Sequence, residues 1–306
     1  MNTNYSDFAQ EAAQWMQGLQ DEICGALEQL DGRAQFHEDL WQRAEGGGGR
    51  TRILQEGALL EKGGVAFSAV HGPISEVMQE KLHMPQGQFF ATGVSIVLHP
   101  ESPRVPIIHM NVRYFEILDA SGQVKEQWFG GGIDLTPIYV VPAQAKRFHE
   151  RLKAVCDAFA PEAYERYKQW ADDYFYLPHR QETRGIGGIF FDRLRPSDKH
   201  SKEEIWRFVQ ALGKTFVPAY KEIVEENRNL PYKAENKRWQ ALRRSRYVEF
   251  NLVYDAGTKF GLESNGRTES ILMSMPPQAQ WAYNYQPPQG SAEAETLAHL
   301  KKGIVW

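Results

Sequence analysis

Cysteine is nearly absent from this 306-residue chain. Cys24 and Cys156 stand alone, with no CxxC pairing, which excludes a disulfide-stapled scaffold and leaves an iron–sulfur cluster without ligands. Two free thiols fit a reducing compartment, and a cytoplasmic location is the expectation. No run approaches eighteen uninterrupted apolar residues, so no membrane span is expected. The opening "MNTNYSDFAQEAAQW" has neither a basic n-region nor an apolar h-region and does not read as a signal peptide. A cationic excess is missing as well. The net charge is −4 and the pI about 6.2, with arginine grouped only at 180–195 and 238–246. That argues against nucleic acid as a partner, and a solvated helix face accounts for the second group. No Ser/Pro/Gly-rich linker divides the sequence, so a single domain over 1–306 is expected.

What the chain does have is apolar and aromatic residues, 42% and 12%, ample for a large core. Phe8, Ala12, Trp15, Met16, Leu19, Ile23, Leu27 and Leu30 fall at helical spacing, with Ser6 placed to cap the N-terminus. "EGGGGR" (45–50) reads as a flexible hinge loop or as a close backbone approach. Strand-like runs follow between 51 and 140 without intervening helices, which predicts antiparallel pairing rather than βαβ units. Helical patterns begin at Pro142 and Pro161, "GIGGIFF" is a short strand, and Ser201 with Glu204 has the form of a capping box. "RYVEFNLVYD" (246–255) and "TESILMSM" (268–275) read as strands, and a short helix follows Ser291. The class is α+β: a large antiparallel sheet covered by helices.

The chemistry concentrates in "HPESPRVPIIHMNVRYFE" (99–116). Side chains alternate along a strand, so His109, Asn111 and Arg113 share one face while Ile108, Met110, Val112 and Tyr114 share the other. Ser95, Val97 and His99 share a face of the preceding strand, and a hairpin centred on Arg104 would set His99 opposite His109. A solvent-facing strand ordinarily carries Thr, Lys and Glu; this residue set fits a pocket wall. "WFGGGIDLTP" (128–137) sets Asp134 beside three glycines, a carboxylate next to bare backbone. That Asp is placed either to accept from a ligand or to close its own turn. His149 and His179, with His99 and His109, make four imidazoles without compact metal-ligand spacing. "GLESNGRT" (261–268) imitates a phosphate loop with Arg267 for lysine. The period-two run after it argues against a nucleotide site and leaves Arg267 as a carboxylate holder.

Together "GVSIVLHP", "HMNVRYFE", "WFGGGIDLTPIY", "DDYFYLPHR", "RGIGGIFFD", "YVEFNLVYD" and "GRTESILMSMPP" resemble, in order, the signature blocks of the oxygen-dependent coproporphyrinogen III oxidases. The resemblance covers nearly the whole chain. It implies a large flat antiparallel sheet with helices on both faces and a cytoplasmic homodimer joined through roughly 247–282. The implied reaction is oxidative decarboxylation of two propionates of coproporphyrinogen III to vinyls. Protoporphyrinogen IX is formed, with molecular oxygen as co-substrate and no flavin, NAD or haem. By the same resemblance, Ser95, the segment Asn111–Val112–Arg113 and the turn Asn265–Gly266–Arg267 contact substrate, and His109 donates a proton. His99, His109, His149 and His179 are implied ligands of a divalent metal, manganese being the candidate. Asp134 is placed to hold pyrrole N–H groups and to help remove a proton, a carboxylate being the natural acceptor there.

The chain departs from the family pattern at Ala256, where Asp-Arg-Gly-Thr is usual, and at Ala66, where Asn is frequent. The first puts one guanidinium's contribution to propionate binding or dimer packing in doubt. Two rival readings stand beside the oxidase: a four-histidine metal-dependent oxygenase, and a porphyrin-binding protein without catalysis.

Overall fold

In a computed structural model the described residues are 5–82, 84–119, 121–263 and 266–306. Period-two alternation builds the centre of the molecule. Strands β1 (His37–Gln42), β2 (Gly47–Gln55), β3 (Leu60–Pro73), β4 (Gln88–Pro100), β5 (Ile107–Leu118) and β6 (Val124–Thr136) pair in chain order. After a small hairpin of two-residue strands, β7 (Tyr176–Leu177) with β8 (Glu182–Thr183), the strand β9 (Gly188–Leu194) closes the far edge against β6. All six pairings of this seven-stranded sheet are antiparallel.

One face of the sheet is the main core. Val65, Phe67, Val94, Ile96, Ile108, Met110, Val112, Ile133 and Phe191 point into it. Helix α1 (Asp7–Asp31) lays Ala9, Ala12, Met16, Leu19, Ile23 and Leu27 on this face, each at most 3% exposed. At about 1.5–3 kcal/mol for each large side chain buried, that stripe anchors the helix. Ser6 caps it, accepting from the Ala9 N–H at 3.1 Å, and Gly32 ends it at φ +77°. Helix α2 (Glu76–Leu82) bridges β3 and β4. Helices α3 (Pro142–Asp157), α4 (Ala163–Tyr174) and α5 (Lys202–Asn227) complete this layer. The Ser201–Glu204 capping box opens α5 as the sequence predicts.

The opposite face is covered in part by α6 (Ala234–Glu249), a π-helical turn (Phe250–Tyr254), α7 (Ala256–Glu263) and α8 (Thr268–Leu272), with α9 (Ala292–Ala298) near the end. Here two expectations fail: 246–255 and 268–275 hold no strand, being helical over 246–254 and 268–272. Trp239, Leu242, Arg243, Tyr247 and Phe250 are buried at helical spacing, while Leu252 and Val253 are 46% and 51% exposed. The alternation of 248–254 is an accident of a sequence whose true period starts upstream. The arginines of 238–246 are corrected too. Arg243 and Arg244 are buried, paired with Glu182 at 2.9 Å and Glu61 at 2.7 Å, so this is no solvated face. "EGGGGR" is not a hinge loop. It turns at 44–46 and enters β2, where a Cβ on Gly49 would lie 2.3 Å from the Trp41 ring. Among the described residues no helix is long and apolar enough to cross a membrane.

Candidate active site

The uncovered part of the second face is an ordered grid. One cross-strand row runs Asp39, Thr51, Ala66, Ser95, Asn111, Gly132, Phe190 through all seven strands. A second passes through Gly64, Val97, His109, Asp134 and Gly188, and a third through Gly49, Ser68, Gly93, Arg113 and Gly130. Side chains on one face of paired strands stand about 5 Å apart, so these rows form a floor of small residues rimmed by polar ones. Ala66, Ser68, Gly93, Ser95, His109, Asn111 and Arg113 all keep partial exposure, whereas their even-numbered neighbours in β5 are buried.

The register corrects one expectation. The β4–β5 hairpin pairs Val97 with His109, Ser95 with Asn111 and Gly93 with Arg113, so it is centred on Pro103, not Arg104. The two-residue slip keeps every side chain on its predicted face, because the period is two. It separates His99 from His109. His99 lies opposite Lys62, fully buried, with Nε2 2.8 Å from the Ser274 carbonyl and its ring edge-on to Tyr247.

At the β5–β6 junction His109 Nδ1 is 2.9 Å from Asp134 Oδ1. Arg184, itself buried, donates Nη2 to both Asp134 oxygens at 2.7 and 2.8 Å and Nη1 to Asn251 Oδ1 at 3.2 Å. The Arg184 guanidinium lies 4.3 Å from the Phe175 ring centre and 4.7 Å from those of Tyr247 and Phe250, an aromatic cage for a buried cation. Burial opposes ionisation of Asp134, yet Arg184 and then His109 outweigh it and hold the carboxyl below the ordinary range. An ionised Asp134 only accepts, so His109 Nδ1 carries the proton and Nε2 is free for acid–base work. The Asp134 side chain is 2% exposed and that of His109 22%, so the imidazole faces the floor and the carboxylate stands behind it.

Arg113 lies along the floor. Its Nη1 donates to Asn111 Oδ1 at 2.6 Å and its Nη2 to Asp192 Oδ1 at 2.8 Å. Gly130 explains itself here: a Cβ there would sit 2.6 Å from Arg113 Nε. Val112 points its side chain into the opposite core. Arg267 is farther along the same face. It donates to Asp39 on edge strand β1 and to Ser270 at 3.3 Å. Asp39 is four strands from Asn111, roughly 19 Å at ordinary strand spacing. Gly266 donates its N–H to the Gly261 carbonyl at 2.8 Å, and Asn265 lies outside the described residues.

The four histidines do not converge. His149 is on α3, which packs the opposite face, and both its ring nitrogens are engaged at 3.0 Å, by Tyr164 Oη and the Ile186 carbonyl. His179 sits near the surface between Tyr254 Oη at 2.8 Å and Glu249 Oε2 at 2.7 Å. Among the described residues no three His, Cys, Asp or Glu side chains gather to hold a metal ion. The donor set therefore does not fit one four-histidine centre.

Sequence reading missed Arg184, Asn251, Tyr247 and Asp192. Arg184 carried a signal, as the arginine directly ahead of "GIGGIFF". Tyr247 and Asn251 carried none, since α6 and the π-helical turn had to fold onto the sheet, and Asp192 on β9 meets Arg113 only through the pairing of β9 with β6.

An imidazole backed by a buried carboxylate, with a guanidinium and an amide on the same floor of small residues, is equipment for acid–base chemistry next to an anionic group. The sequence profile of the family described as coproporphyrinogen III oxidase matches residues 11–306, and the chain belongs to that family. It is 48% identical over 297 residues to the human protein named oxygen-dependent coproporphyrinogen-III oxidase, mitochondrial. That alignment takes in 94% of this chain and 64% of the human one, so the chain spans somewhat under two thirds of that relative.

Proposed function

We propose that this chain catalyses the oxygen-dependent oxidative decarboxylation of coproporphyrinogen III to protoporphyrinogen IX. Each of two propionates loses its carboxyl as carbon dioxide. The electrons of the broken C–C bond form the vinyl double bond, and a β-hydrogen leaves with its electron pair. Dioxygen accepts the electrons together with protons. The electron-rich pyrrole supplies the driving push, which begins with removal of a proton from its nitrogen.

The observation that carries this reading is the Arg184–Asp134–His109 chain opening onto a floor of small residues with Arg113 at its side. A flat macrocycle needs that floor, and its carboxylates need charge-assisted donors. Asp134 works through His109: it fixes the tautomer and stabilises the imidazolium formed when Nε2 takes a proton. Arg113, Asn111 and Ser95 hold a propionate on the floor, and Arg267 is the donor at its β1 end.

Two further readings accompany the activity. A homodimer through roughly 247–282 is supported by Leu252, Val253, Leu262 and Trp281, which expose 41–56% of their surface within this stretch. A cytoplasmic location is supported by Cys24 and Cys156, both free and buried.

Aerobic incubation with coproporphyrinogen III, followed by chromatography, tests the activity. Two vinyl groups and carbon dioxide are expected; binding without vinyl product would leave a porphyrin-binding protein. Asp134→Ala is expected to lower turnover by at least about a hundredfold, the scale of a lost acid–base group. Near-normal turnover there would contradict the assignment.

A further inference from the structure

Arg113 is already occupied by a carboxylate of its own chain. Asp192 Oδ1 accepts from Nη2 at 2.8 Å, and the two side chains are 35% and 37% exposed. The sheet is irregular at this point. The β6–β9 register shifts between Phe129 and Gly131, so Asp192 and Arg193 together face the single residue Gly130. Arg193 takes φ +48°, the left-handed region that a non-glycine residue enters at a cost. Such bulges re-aim side chains beside functional sites. Here the bulge lies against the glycine on which the Arg113 guanidinium rests.

We propose that Asp192 is a placeholder carboxylate. It neutralises Arg113 in the open site and yields the guanidinium to an incoming substrate carboxylate, returning when that ligand leaves. The inference rests on the reading above that Arg113 receives a propionate. An ion pair about a third exposed is weak enough to exchange, and Asn111 keeps its hold on Nη1 while Nη2 changes partner. Asp192 thus sets affinity and release without taking part in the chemistry. A purely positioning role for Asp192 predicts the opposite sign, since losing the anchor would let Arg113 swing away and weaken binding.

Fluorescence titration with coproporphyrin III, the oxidised and unreactive tetracarboxylate, separates the two. Asp192→Asn is expected to bind it about two- to fivefold more tightly than the wild type, the worth of an exposed pair. Steady-state assays should show KM and kcat falling together, as release slows. Arg113→Ala should weaken binding, and Asp192→Asn added to Arg113→Ala should then change nothing. Weaker or unchanged binding in Asp192→Asn, with Arg113→Ala impaired, overturns the placeholder alone. Wild-type binding by Arg113→Ala overturns the propionate reading of Arg113 and the placeholder with it.

Discussion

Removing the Arg184 guanidinium would leave Asp134 ionised and buried with only His109 beside it. Breaking such a pair from one side costs about 3–5 kcal/mol, so Arg184→Met should melt well below the wild type and lose activity. Asp134→Asn removes the charge instead of stranding it. Its cost should be mainly catalytic, because an amide can donate to Nδ1 and so place the imidazole proton on Nε2, the wrong tautomer for a base at the floor. Differential scanning calorimetry beside turnover distinguishes the two. Two other histidines set a pH dependence. Burial, helped by the nearby Arg244, pushes His99 down to about 3, and burial pushes His149 down to about 4. Both are neutral in the fold and take up protons near pH 6.5 once unfolded. Between these values the unfolded chain binds more protons, so stability is full above about pH 6.5 and declines as pH falls. The slope is about 1.4 kcal/mol per pH unit for each histidine. Melts between pH 7.5 and 5 should show that decline, shallower in His149→Gln.

The strands carry the site, and their glycines give the sharpest element-scale test. Gly130→Ala brings a methyl to within 2.6 Å of Arg113 Nε, so the side chain must leave the floor. Coproporphyrin III affinity should drop severalfold in titration while the fold persists. At the other layer, Ser201→Ala should remove about 1 kcal/mol from the capping box of α5, read as a lower denaturant midpoint with unchanged slope. Elements whose own residues state their period were legible. Strands β2 to β6 and helices α1, α3 and α5 were all readable because a face or stripe repeats within one segment. The π-helical turn and α8 were not, because their apolar residues were chosen for contact with distant parts. Phe250 packs against Tyr174 and Phe175, and Met273 at the end of α8 lies against Gly64 of β3.

At the scale of the whole molecule, the exposed apolar residues of 247–282 are the contact surface of the proposed homodimer. On that proposal the wild type sediments as a dimer and Val253→Asp as a monomer, with the far-ultraviolet circular dichroism unchanged. Exhaustive chelation should leave turnover intact, since the four imidazoles are spread over both sides of the sheet; loss of activity, restored by manganese, would refute this.

By itself the sequence determined which side chains share the polar face: alternation places His109, Asn111 and Arg113 together whatever the hairpin register. It also determined the capped helices and the family, through blocks that stand in a fixed order. Only the tertiary structure decided which of those polar groups act as one site. A strand's period says which way a side chain points, not which residue lies across from it. The pairing of β5 with β6 joined His109 to Asp134, and the return of the chain past β8 brought in Arg184. The slip of two residues sent His99 away under Tyr247. Long-range charge pairs of this kind leave no local periodicity, because each partner answers to a residue 25 to 79 positions away.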